Sequence, residues 1–93
     1  MPRLKLKVES AIHRYLTNQL TDEEFKKSIL SILDEFRGKN LLHQNIGQLA
    51  WRMEKENSSV YAKSKLEKIW ILFDQVNPRI RKDFELRMRK IKS

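Results

Sequence analysis

Apolar residues recur every three or four positions along most of the chain, which is the period of one helix face and not the alternation of a strand. Leu4, Val8, Ala11, Ile12 and Tyr15 form the first stripe and predict a helix over 4–18. The opening LKLKV alternates and would suit a short strand, but no second strand is evident to pair with it. Thr21 and Glu24 have capping-box spacing, in which each side chain satisfies the other's free backbone N–H. With Leu20 and Phe25 as a hydrophobic staple, they predict a second helix over 22–37. Phe25, Ile29, Ile32, Leu33 and Phe36 supply its apolar face, and Gly38 supplies a left-handed stop.

A third stripe, Leu42, Ile46, Leu49, Ala50 and Met53, predicts a helix over 41–56. Gly47 weakens it by about 1 kcal/mol relative to alanine, which leaves a later start near Asn45 open. Asn57-Ser58-Ser59 reads as a turn and cap. The fourth helix, 60–76, carries Ala62, Leu66, Ile69, Trp70, Phe73 and Val76, with Ile71 and Leu72 widening the stripe. A helix apolar over most of its circumference is expected at the centre of its domain. Asn77 caps and Pro78 opens the fifth, 78–92, whose apolar side is Ile80, Phe84, Met88 and Ile91. The expected fold is an all-α bundle of five helices without a sheet, one domain over 1–93 with basic first and last helices.

Composition narrows the class. Ninety-three residues, 40% of them hydrophobic, suffice for one modest core. The absence of cysteine removes disulfides and thiolate chemistry and favours a reducing, cytoplasmic setting. The longest apolar run, Ile69 to Phe73, is far short of a bilayer span, and the start of the chain lacks the apolar region of a signal peptide, so no integral membrane association is expected. The net charge of +8 is unevenly placed. Residues 21–76 hold nine bases and nine acids, so the whole excess lies in 1–20 and 77–93. A field of that sign attracts polyanions.

Candidates for catalysis are few. His13 lies opposite the apolar stripe of its helix, and neither it nor His43 has a carboxylate or second histidine at metal-ligand spacing. Asp22, Glu23 and Glu24 suit the positive end of a helix dipole, and Asp34 and Glu35 splay apart as neighbours on a helix. Phosphate-binding glycine loops and nucleophile elbows are absent. The expectation is a protein that is not an enzyme and uses no cofactor or metal.

Residues 45–69, NIGQLAWRMEKENSSVYAKSKLEKI, resemble a helix-turn-helix DNA-binding motif. Ile46, Leu49, Ala50, Met53 and Val60 match its apolar positions, and Ser58-Ser59 its second cap. The chain departs from the pattern at Glu54 and Lys55, where a glycine and an apolar residue are usual, and at Lys63. The resemblance implies that Ser59, Tyr61, Lys63 and Lys65 face the major groove.

Independently of that motif, the last helix places Arg79, Lys82, Arg89 and Lys90 around Leu86, opposite its apolar side. Cations in its final turn suit the helix dipole, but Arg79, Arg81 and Lys82 in its first turn oppose it and point to a polyanionic partner. The leading expectation is therefore a small nucleic-acid-associated protein that holds phosphates, with DNA ahead of RNA and helix-turn-helix-like readout open. The alternative is a helical protein-interaction module, an adaptor, inhibitor or immunity-type protein with an acidic partner, which would leave Trp51, Leu41, Ile71 or Leu86 outside the core. Homodimerisation would bury the same residues. Docking of the basic last helix on an anionic membrane surface ranks third.

Overall fold

A computed structural model describes residues 2–57 and 63–92. The chain forms a compact all-α globule of α1 (Pro2–Leu16), α2 (Asp22–Glu35), α3 (Leu42–Asn57), α4 (Lys63–Val76) and α5 (Arg79–Lys92), with no strand among the described residues. LKLKV is helical, as its neighbours dictate. The expected start of the fourth helix and the Ser58-Ser59 cap lie outside the described residues.

Local chemistry sets the ends. α1 stops at Leu16, two residues short of expectation, in a Schellman turn: Gln19 N–H donates to Arg14 O at 2.7 Å and Asn18 N–H to Tyr15 O at 3.1 Å. Asn18 takes the left-handed position at φ 64°, which asparagine tolerates. The capping box of α2 is formed, with Glu24 N–H donating to Thr21 Oγ1 at 3.2 Å and Thr21 N–H to Glu24 Oε1 at 2.9 Å. Those bonds hold the Glu24 carboxyl below its ordinary range. Gly38 follows the helix at φ 85°, in the left-handed region expected of it. Leu41, just before α3, has φ 64° without glycine's freedom.

The helices pack as a ring in the order α1, α2, α4, α5, α3, with α4 also touching α1 across it. Their inward residues merge into a single cluster in which Val8, Ile12, Phe25, Ile29, Ile46, Phe73 and Ile80 are fully buried. Each buried aliphatic or aromatic side chain contributes about 1.5–3 kcal/mol. A chain of rings links every helix: Tyr15 on α1 meets Phe25 on α2 at 4.8 Å, and Phe25 meets Phe73 on α4 at 5.9 Å. From there Trp70 meets Phe84 on α5 at 5.6 Å, and Phe84 meets Trp51 on α3 at 6.2 Å. Two expected core residues stay outside. Ile71 is 49% exposed because α4 buries only Leu66, Ile69, Leu72 and Phe73, and Ile91 is 64% exposed because the docked side of α5 fades after the half-buried Met88.

α3 and α5 form the most extensive pair and run in parallel, with His43 beside Asp83, Gly47 against Ile80 and Phe84, and Trp51 beside Phe84 and Met88. Gly47 explains itself here. A Cβ at that position would lie 2.6 Å from Phe84 Cβ and 3.3 Å from the Ile80 carbonyl, so only glycine permits this approach. Gly47→Ala, although about 1 kcal/mol better in helix propensity, should lower unfolding free energy by about 1–3 kcal/mol through overpacking. Urea titration measures this, and a stabilised variant would contradict the packing described.

Candidate functional site

α5 docks through Ile80 and Phe84, which turns residues 79, 82, 86, 89 and 90 to the solvent. Asn77 starts it, accepting from Arg79 N–H through Oδ1 at 3.0 Å, with Pro78 at the corner. Arg79, Lys82, Leu86, Arg89 and Lys90 are all exposed on this outward ridge. The two carboxylates of the helix lie on its flanks. Asp83, part-buried, faces His43 Nδ1 at 3.6 Å and Arg79 at 3.7 Å, and Glu85 accepts from Arg81 Nε at 3.1 Å.

These contacts separate residues that the sequence grouped together. Arg81 also approaches Asp74 at 3.5 Å and lies 6.0 Å over the Trp70 ring, so local partners account for its charge. Arg79 shares Asp83. Lys82 and Arg89 pair with no carboxylate among the described residues. Lys63 is exposed at the first position of α4. Lys65 donates to Asn18 Oδ1 and lies 5.0 Å from the Tyr15 ring. Beside it Tyr15 donates to Asp22 at 2.7 Å. Burial, then that acid, raises the Tyr15 hydroxyl, and the same bond holds Asp22 low, aided by Lys68. Ser59 and Tyr61 lie outside the described residues. Of the residues matching the helix-turn-helix pattern, Ile46, Leu49 and Ala50 are core, and Met53 packs against it.

Three arrangements escape sequence reasoning because they join distant segments. His43 meets Asp83 and Asn77, Trp70 Nε1 donates to Glu54 Oε2 at 3.2 Å, and Trp51 and Trp70 flank Phe84. A surface cavity of about 930 Å3 also opens between the end of α2 and the starts of α3 and α5, with Leu30, Leu41, Lys39 and His43 among its lining. Among the described residues no group of three His, Cys, Asp or Glu side chains is placed to hold a metal ion, and no helix is long and apolar enough to cross a membrane. Comparison with protein-family models, curated proteins and solved structures yields no match.

The hydrogen bonds around His43 select one tautomer of its neutral ring. Because Asn77 Oδ1 is committed to the α5 cap, its Nδ2 is the donor to His43 Nε2 at 3.3 Å, which leaves the ring proton on Nδ1 facing Asp83. Burial first and Arg79 second hold the imidazole below its ordinary value, and Asp83 offsets part of this. The unfolded chain therefore takes up this proton more readily than the folded one. The stabilisation from neutral His43 should be full above about pH 6.5 and lost as pH falls through the folded value. His43→Gln should flatten the stability profile between about pH 7.5 and 5, as read by urea unfolding at each pH. An unchanged slope would show that other groups set it.

Proposed function

We propose that this protein binds nucleic acid through phosphate contacts along the outward ridge of α5. The observation that carries the reading is the ridge itself. Lys82 and Arg89 pair with no carboxylate among the described residues, Arg79 stands at its start, and both carboxylates of the helix are turned to the flanks. From 79 to 89 the ridge runs about 15 Å at helical rise, long enough to meet successive phosphates on one strand. Such contacts neutralise phosphates, release counterions and hold the backbone without reading bases. Base readout by α4 in a helix-turn-helix manner has less support. Phe84 of α5 inserts between the indoles of α3 and α4, and Lys65 is engaged on α1.

The alternative of a protein-interaction module draws on a separate observation. Leu30 and Leu41, 51% and 57% exposed, both line the large surface cavity. Sedimentation tests its homodimer form. A monomer at micromolar concentration is the outcome expected under the nucleic-acid reading, and a dimer broken by Leu41→Asn would favour the alternative.

Fluorescence anisotropy with labelled duplex and single-stranded oligonucleotides tests the main proposal. Binding should be measurable at about 50 mM salt and fade toward 200 mM. The double variant Lys82→Glu/Arg89→Glu should weaken binding and flatten the salt dependence by about one unit of slope per lost contact, with stability changed by no more than about 0.5 kcal/mol. Lys27→Glu/Lys39→Glu, an equal change in net charge elsewhere, should weaken it less. No binding at low salt, or equal losses in the two double variants, would sink the proposal.

A further inference from the structure

Beside the ridge lies a surface of a different kind. Trp51 of α3 and Trp70 of α4 are both half-buried, with Phe84 of α5 between them at 6.2 and 5.6 Å. Two clefts, about 350 and 190 Å3, share Trp51, Phe84 and Glu85; Arg89 lines the larger and Arg81 the smaller. The two indoles are not equivalent. Trp70 is tied by its bond to Glu54 and enclosed by Phe73, Phe84 and Arg81. Trp51 meets Phe84 as its only ring among the described residues, and otherwise has Lys55 Nζ at 5.8 Å from its centroid, an exposed amine on a flexible stem.

We propose that Trp51 is a stacking platform for an unpaired nucleobase, so that the preferred ligand is single-stranded nucleic acid lying across the platform and the α5 ridge. This deepens the phosphate-binding reading and rests on it. An indole face recognises any base through its π-surface, and cations beside it hold the flanking phosphates. Arg89 belongs to both the ridge and the larger cleft, so one residue joins the two parts. Glu85, on the shared wall, can accept from an exocyclic amino group as carboxylates do from cytosine. In a duplex the base faces are stacked on their neighbours and closed to an indole. The platform therefore selects unpaired strands, and Lys55 swings aside to admit the base.

The chain has two tryptophans, and both lie at this surface, so intrinsic fluorescence reports on it directly. The full chain is titrated at about 50 mM salt with a single-stranded oligonucleotide, a duplex of the same length and an abasic single strand. The single strand should quench the indole emission and bind about 5- to 150-fold more tightly than the abasic strand. Duplex and abasic strands should bind without quenching. Trp51→Leu should abolish the preference for the base-bearing strand and keep the residual, salt-sensitive binding. If Trp51→Leu fails to fold, Trp70→Phe leaves Trp51 as sole reporter, and its emission must still be quenched. Equal affinity for base-bearing and abasic strands without quenching overturns the platform and leaves the ridge standing. Failure of all three ligands to bind overturns both.

Discussion

The contact between Gly47 and Phe84 governs the arrangement of the bundle. Without a Cβ on α3, α5 approaches until the Phe84 side chain lies against the helix backbone, in parallel register from His43 to Trp51. That approach inserts Phe84 between Trp51 and Trp70 and closes the ring of helices. It also fixes which side of α5 is inward. Once Ile80 and Phe84 are buried, the 3.6-residue period leaves Lys82, Leu86 and Arg89 facing out. The basic ridge and the aromatic surface beside it are both consequences of one absent methyl group.

Charge at the start of α5 illustrates how a fold redistributes what a sequence supplies. Three cations in the first turn oppose the helix dipole, and two of them find local relief: Arg79 from Asp83, Arg81 from Asp74 and Glu85. Exposed pairs of this kind contribute little to stability, but they decide which charges stay outside an ion pair. Lys82 remains, and Arg89 joins it about two turns further on. The same geometry makes Asp83 serve His43 as well, so that the protonation of one imidazole, the α5 cap on Asn77 and the first cation of the ridge form one connected set.

Much of the fold was legible because local signals agreed. The Thr21–Glu24 box, Gly38 and Asn77-Pro78 mark ends by chemistry that acts within a few residues, and the apolar period marks the buried faces. Misreadings occur where packing decides. Periodicity put Ile71 and Ile91 inside, since it cannot tell how wide a neighbour's cover is. It charged Gly47 with a cost in propensity, since the benefit lies on another helix. For the site, the ridge could be read from angles on one helix, which needs no tertiary information. Pairings between Arg81 and Asp74, between His43 and Asp83, and between the two indoles and Phe84 join segments far apart in the chain, and a single sequence carries no signal for them.

Leu41 holds left-handed backbone on the surface with most of its side chain in solvent, a conformation that costs a branched side chain about 1–2 kcal/mol and glycine almost nothing. Position 41 is therefore a reserve. The bundle can be hardened there without touching the core, the ridge or the aromatic surface. A chain hardened in this way would better tolerate destabilising changes at Trp51 or Phe84, which makes one strained leucine the practical handle on the rest of the molecule.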